Sequence, residues 1–119
     1  MLFRSKTRFK IIALHHNLFQ VVTTPGESLR NLKDHELLLQ VAREGAVNLI
    51  LHGHDHDYVY KKIDNIIVAE AGSCSVCRFK RPNRAGKFNR YFFEQQNLVK
   101  IETWRYEDDS YVLWRTITP

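Results

Sequence analysis

The sequence predicts an α/β fold with a mixed sheet that has an antiparallel C-terminal part, and three observations lead to this prediction. An apolar run at 9–14 ends in two histidines, an amphipathic segment follows at 34–45, and a second apolar run at 47–51 ends in further histidines. This order is typical of parallel strands joined by a right-handed helical crossover. After residue 57 the chain alternates aromatic and β-branched residues between short turns, which predicts antiparallel strands.

The first half is predicted as a βαβ unit over 9–57. Its helix depends on apolar residues that share one helical face, with a glycine placed to end it: Leu37, Leu38, Val41, Ala42 and Gly45. The flanking strands are apolar along their whole length, as are strands covered on both faces. Because parallel neighbours end at the same edge of a sheet, both groups of histidines are expected at the edge where α/β folds carry their sites.

The second half, 58–119, is predicted as a hairpin turning near Asp64–Asn65 and further antiparallel strands broken at 95–97 and 107–110. A loop is predicted at 74–90, because it contains Pro82, Asn83 and Gly86. That segment carries six cations and no acid: Arg78, Lys80, Arg81, Arg84, Lys87 and Arg90.

The composition indicates one globular domain with an anionic partner. The 18 Lys and Arg against 13 Asp and Glu give a net charge of +5, which suits a phosphate ester, a nucleic acid or an acidic surface. No apolar stretch approaches the roughly 18 residues of a membrane span, and the N-terminus does not have the apolar run of a signal peptide. With only two cysteines, the sequence favours a reducing, cytoplasmic location and no membrane partner.

The histidines are the strongest indication of chemistry. Neutral imidazole is a common ligand for zinc, iron and manganese. His54 and His56 lie on one side of an extended segment, since alternate residues share a face, and His15 is delivered by the neighbouring strand. Three imidazoles are therefore expected to converge. Two carboxylates occur in the same segment, at Asp55 and Asp57.

The segment "IIALHHNLF", followed by "NLILHGHDHDY" with 39 positions between His15 and His54, resembles the last two metal motifs of the calcineurin-like metallophosphoesterases. The later segments "VAEAGSCSVCRFK" and "KFNRYFFEQQNLVKIETWRY" look like the family's hairpin, its Ala-Gly-Ser segment and its closing strands. The resemblance spans roughly 9–117. It implies an α/β/β/α sandwich with a dimetal centre at the strand ends, and a phosphodiesterase-like hydrolysis of phosphate esters assisted by two divalent cations, manganese, iron or zinc.

By position, the resemblance implies that His15 and His54 are ligands of the second metal and that His56 is a ligand of the first. His16 becomes a supporting or substrate-facing residue with a catalytic role, although His15 and His16 could exchange places. Asn17 stands where the family commonly has proline. His52 is interpreted as a packing or supporting residue, and His35 as a solvent-exposed residue of the helix.

Three earlier motifs of the family, an Asp-x-His, a Gly-Asp and a Gly-Asn-His, do not occur in the sequence. Residues 1–119 are therefore expected to be a partial domain, the C-terminal half of a metallophosphoesterase, with half of the metal site and little activity alone. The missing N-terminal half is the expected partner. Open strand edges further predict a homo-oligomer through exposed sheet surface.

Two other functions fit parts of the sequence. A structural zinc module could use His54, His56, Cys74 and Cys77, because their spacing is acceptable for zinc ligands. A nucleic-acid-binding module could use the basic segment 78–90, although no recognition motif accompanies it.

Overall fold

The computed structural model describes residues 9–18, 33–54, 56–74 and 85–119. Within these ranges the chain forms one helix and seven strands, which are β1 (Ile11–Ala13), α1 (His35–Glu44), β2 (Leu49–Leu51), β3 (Val59–Ile63), β4 (Ile66–Glu70), β5 (Lys87–Glu94), β6 (Asn97–Glu107) and β7 (Ser110–Ile117). They make a four-stranded sheet in the order β1-β2-β4-β3 and a three-stranded sheet in the order β5-β6-β7. This arrangement confirms the predicted α/β class with a mixed sheet.

The first sheet joins parallel and antiparallel pairs. β1 pairs with β2 in parallel, as predicted, and Ile12 lies opposite Ile50. β4 also pairs with β2 in parallel, with Val68 beside Ile50, while β3 returns antiparallel after the predicted turn at Asp64–Asn65. The hairpin of β3 and β4 therefore belongs to the same sheet as the histidine-bearing strands, a pairing that the sequence pattern did not indicate.

Both faces of this sheet are covered. On one face, Leu39 and Ala42 of α1 pack with Ile50 and Val68 in a buried cluster. On the other face, a second cluster joins the sheet to β6 through Ile101, and it contains Leu49, Ile67, Ala69 and Ile101. The described residues thus form three layers, a helix, the first sheet and the second sheet.

Two sequence predictions need correction in this region. The buried face of α1 holds Leu39 rather than Leu37, whose side chain is 60% exposed, because the helix is rotated relative to the predicted face. β1 spans three residues, and its exposed, intermediate, exposed pattern shows that it is not covered on both faces. β1 is the edge strand of the described sheet, which leaves Ile11 49% exposed.

The second sheet is an antiparallel meander with two-residue turns at Gln95–Gln96 and Asp108–Asp109, where the sequence predicts breaks. β5 begins at Lys87, so the prediction of a loop through residue 90 is wrong for its last residues. The rest of that basic segment, 75–84, and the predicted loop at Pro25–Gly26 lie outside the described residues. No helix in the described ranges has the length and hydropathy needed to cross a membrane.

Candidate metal site

The C-terminal ends of β1 and β2 meet at one edge of the first sheet. Leu14 donates a backbone hydrogen bond to Leu51 (2.9 Å), and the pairing extends past the strands, because Gly53 donates to the backbone oxygen of His15 (3.2 Å). This last contact fixes His15 beside the segment that carries His54. The parallel register therefore delivers both histidine groups to one place, as parallel neighbours must.

Three imidazole rings cluster at this edge. The ring centroids of His15 and His54 are 5.0 Å apart, those of His15 and His16 are 5.4 Å apart, and those of His16 and His54 are 5.2 Å apart. All three side chains lie at the surface rather than in a hydrophobic cluster. Their positions therefore do not result from packing of the core, which is the usual reason for rings to meet.

The closest atoms of this cluster are His15 Nε2 and His54 Nδ1, 3.0 Å apart. One nitrogen donates a hydrogen to the other in the metal-free arrangement. A tetrahedral zinc with Zn–N bonds of about 2.0–2.1 Å holds two ligand nitrogens about 3.3 Å apart. The pair thus fits two ligands of one ion after a shift of a few tenths of an ångström. Within the described ranges, however, no group of three or more His, Cys, Asp or Glu side chains is arranged to hold a metal.

His56 is not part of the ring cluster formed by His15, His16 and His54. Its backbone packs instead against Gly72, where an added Cβ would lie 3.0 Å from the carbonyl oxygen of His56. Gly72 has φ +98°, while His54 and His56 have φ of 94° and 59°. Non-glycine residues with positive φ carry backbone strain, which folded proteins concentrate at functional sites. The strain is consistent with a site in this segment.

The same edge of the sheet also contains a buried polar group that the sequence pattern did not reveal in full. His52 Nδ1 is 2.9 Å from Asn17 Oδ1 and 3.2 Å from Glu70 Oε2, and both neighbours are acceptors, so Nδ1 carries the ring hydrogen. The exposed fractions of Asn17 and Glu70 are both 2%. His52 is therefore buried among polar partners, which agrees with its interpretation as a packing or supporting residue, but these partners were not identified from the sequence. The available signal was a single carboxylate that ends the otherwise apolar strand "IIVAE".

The second sheet contributes Lys87 to the same end of the molecule. Its side chain is buried, its Nζ donates to the Ala85 carbonyl (3.2 Å), and its backbone nitrogen donates to Ser73 (3.0 Å). Burial lowers the pKa of the Lys87 ammonium, and the charge of Asp57 opposes that shift.

The other residues singled out in the sequence are divided between described and undescribed parts of the chain. Cys74 is an exposed free cysteine, whereas Cys77 and Asp55 lie outside the described residues. His35 is 38% exposed on α1 and interacts with Glu36.

Comparison with known proteins identifies the fold. The sequence matches no protein-family model, and no curated protein is significantly similar to it. Solved structures of Vps29 are similar in three dimensions. The Entamoeba histolytica Vps29 complexed with Zn²⁺ superposes with a TM-score of 0.55 at 20% identity, over 72% of this chain and 47% of that chain. Vacuolar Protein Sorting 29 from Cryptosporidium parvum superposes with a TM-score of 0.51 at 13% identity, over 79% of this chain and 49% of that chain.

These identities are too low to show more than a shared fold, which is the calcineurin-like metallophosphoesterase fold of the Vps29 structures. A double mutant of the Entamoeba histolytica protein superposes equally well, with a TM-score of 0.54. The chain spans about half the length of the Vps29 structures that it matches. The zinc ion belongs to the Entamoeba histolytica structure.

Proposed function

We propose that this chain carries part of the divalent-metal site of a phosphodiesterase-like metallophosphoesterase, with His15 and His54 as ligands of one ion. The separation of 3.0 Å between His15 Nε2 and His54 Nδ1, at the strand ends of a metallophosphoesterase fold, carries this proposal. A bound cation of the manganese, iron or zinc type would stabilise negative charge on the phosphoryl oxygens. The Zn²⁺ complex of the Entamoeba histolytica Vps29 supports the choice of zinc as the first probe.

The other histidines have separate parts in this proposal. The ring of His16 lies beside both ligands, and we assign it to contact a substrate phosphate, with the exchange of His15 and His16 left open. His56 is assigned to the other ion of the pair, because its ring is not part of the cluster and its backbone lies against Gly72.

We further propose that the chain corresponds to the C-terminal half of the enzyme and hydrolyses little substrate alone. Two observations support this: the chain matches about half of the Vps29 structures, and the sequence has none of the family's three earlier motifs, two of which carry a carboxylate. Two cations about 3.5–4 Å apart repel each other unless carboxylates offset their charge. The described histidines are neutral ligands and provide no such charge.

Isothermal titration with ZnCl₂ and MnCl₂ tests the metal proposal. We expect one weak site that loses at least about tenfold in affinity in His15→Ala or His54→Ala, because even outer residues of a metal site contribute tenfold or more. His35→Ala is the matched control, since this exposed histidine lies on α1. Equal affinity in all three variants would contradict the assignment. Robust hydrolysis of bis(p-nitrophenyl) phosphate by the pure chain with manganese would contradict the proposed low activity.

The exposed edge of the first sheet supports self-association of the chain. Among the described residues, β1 has no strand on its outer side and Ile11 is 49% exposed, so both could pair with a second copy. Light scattering at micromolar concentration is expected to show dimers or larger species in the wild-type chain and more monomer in Ile11→Lys. A monodisperse wild-type monomer would contradict this proposal.

A second candidate function, binding of single-stranded nucleic acid, is favoured by the outer face of the second sheet, which is the face turned away from the first sheet. This face carries Phe88, Phe92 and Trp104, with the Lys100 ammonium 4.0 Å and the Arg90 guanidinium 5.1 Å from the Phe92 ring. Aromatic rings interleaved with cations are the usual platform for stacked bases. Quenching of tryptophan fluorescence by a single-stranded oligonucleotide should persist in Trp114→Phe and disappear in Trp104→Phe, since Trp104 is on this face. Quenching that is lost in Trp114→Phe instead, or no quenching in the wild type, would contradict nucleic-acid binding at the outer face.

A further inference from the structure

Glu70 is the carboxylate that the sheet brings to the histidine edge. It is the last residue of β4, which runs parallel to β2 with Ala69 opposite Leu51. His52 follows β2 directly, and its backbone nitrogen donates to the Ala69 carbonyl (3.2 Å). Because β1, β2 and β4 are parallel neighbours, the ends of all three strands meet at one edge. Glu70 therefore lies in the same layer as the segments that carry His15 and His54.

The side chains of Glu70 and His52 are both 2% exposed. The contact between His52 Nδ1 and Glu70 Oε2, at 3.2 Å, is within ion-pair distance but does not have the geometry of a hydrogen bond. Among the described residues, neither carboxylate oxygen of Glu70 nor His52 Nε2 has a hydrogen-bond partner. A buried carboxylate with so little compensation is unfavourable for folding. Such a group persists where function requires it.

The buried group is linked to both histidine segments. Asn17, two residues after His15, accepts a hydrogen bond from His52 (2.9 Å). Gly53, between His52 and His54, donates to the His15 backbone (3.2 Å). A shift of the His52 ring would therefore move the ends of both strands. In addition, a negative charge buried at this edge lowers the energy of a nearby cation more than an exposed charge would.

We propose that Glu70 is a positioning residue and the buried counter-charge of the metal site, acting through His52. The Glu70 carboxylate lies against Nδ1 of the His52 ring, whose hydrogen is donated to Asn17, and this ring holds the ends of β1 and β2 in the register that brings His15 and His54 together. The charge of Glu70 provides part of the anionic compensation that the imidazole ligands do not supply. The counter-charge role rests on the proposed metal function, whereas the positioning role does not.

Two variants separate charge from packing. Glu70→Gln keeps the size of the side chain and removes its charge, whereas Glu70→Asp keeps the charge and leaves a gap. If Glu70 is the counter-charge, zinc affinity by isothermal titration falls about tenfold or more in Glu70→Gln and less in Glu70→Asp. The urea midpoint of the metal-free protein should be higher in Glu70→Gln than in Glu70→Asp, and the midpoint of Glu70→Gln should equal or exceed that of the wild type. The proposal would be overturned if the zinc affinities of the two variants ranked in the same order as their urea midpoints. It would also be overturned if the Glu70→Gln chain did not fold.

The imidazole ¹⁵N spectrum of the metal-free protein tests the positioning role alone. We expect the ring signals of His15, His52 and His54 to shift in Glu70→Gln and to stay unchanged in Glu94→Gln, a change at the exposed end of β5. Unshifted rings in Glu70→Gln would overturn the positioning role, whether or not the chain binds metal. If the wild-type chain binds no zinc, the metal function and the counter-charge role of Glu70 are overturned. The positioning role is still supported in that case if the imidazole ¹⁵N signals shift in Glu70→Gln.

Discussion

In the second sheet the polar side chains satisfy one another, whereas at the histidine edge of the first sheet three buried polar atoms have no described partner. Thr103 donates to Asn89 (2.7 Å), and Asn89 donates to Tyr91 (3.0 Å). At the histidine edge, the unpartnered atoms belong to His52 and Glu70. The difference indicates that the second sheet is optimised as a scaffold, and that the histidine edge retains unfavourable groups for a site.

Backbone conformation differs between the two regions in the same way. In the second sheet, positive φ occurs at the turn residues Gln95–Gln96 and Asp108–Asp109, where tight turns require it. At the histidine edge it occurs at His54 and His56, in a segment between strands. Strain in the second sheet therefore has a local explanation, and strain at the histidine edge indicates a site.

The largest effect is expected in the hydrophobic core that both regions depend on. Ile50 is fully buried in the central part of the first sheet between β1 and β4. Ile50→Ala should lower the free energy of unfolding by about 2–5 kcal/mol, because the cavity adds to the lost burial. Urea denaturation measures this change. A loss below about 1 kcal/mol would show that the layer of α1 and the first sheet is not the core described above.

A smaller effect is expected where the strain lies. Gly72→Ala would place a Cβ 3.0 Å from the His56 carbonyl at φ +98°, so we expect a loss of about 1–3 kcal/mol. The change should also displace His56 while the ring contact of His15 and His54 remains. Urea denaturation and imidazole ¹⁵N spectra measure the two effects. If the substitution costs no stability, the packing of the His56 segment against Gly72 is not as described.

The hydrogen-bonded scaffold gives the next smaller effect. Thr103 is 1% exposed, and Thr103→Val would remove its hydroxyl while keeping its volume. The Asn89 oxygen would lose a donor, at a cost of about 1 kcal/mol in unfolding free energy. Thr116→Val, an exposed change on β7, is the control. A stabilised Thr103→Val would contradict the claim that the polar groups of the second sheet satisfy one another.

The smallest effect depends on pH. The hydrogen bond from the Lys100 side chain, aided by Trp104 and Arg90, lowers the pKa of the Glu102 carboxyl despite partial desolvation. A carboxyl whose pKa is lower in the folded state stabilises the fold above its ordinary pKa and loses that effect as the pH falls. Glu102→Gln should therefore be slightly less stable than the wild type at pH 7, with the difference vanishing in acid. A difference that grows in acid would contradict this assignment.

Much of the fold could be predicted from the sequence because its apolar runs are short and its turns are distinct. The parallel pairing of β1 and β2, the helix ending at Glu44 and the turn at Asp64–Asn65 were all indicated by local patterns. The parallel pairing of β4 with β2 was not indicated, because it depends on contacts between distant residues. On the buried face of α1, Ala42 and Leu38 were predicted correctly, whereas Leu37 was predicted in place of Leu39, since the two leucines are equally apolar and only packing distinguishes them.

The candidate site was predictable in part of its histidines and not in their support. Histidines that follow two neighbouring parallel strands approach each other, and His15 and His54 do. The ring of His16 joins them in place of the expected His56. Glu70 was not identified because a glutamate at the end of a strand looks like a solvated residue in a sequence. Its burial becomes evident only once β4 lies beside β2, where the carboxylate meets His52.

The most direct test is a crystal structure of the chain soaked in ZnCl₂, with anomalous data collected at the zinc edge. We predict an anomalous peak at about 2.0–2.1 Å from both His15 Nε2 and His54 Nδ1, above a Glu70–His52 pair that keeps its contact. A peak confined to exposed side chains such as Cys74 or His35, with His15 and His54 still hydrogen-bonded to each other, would contradict the proposed metal site.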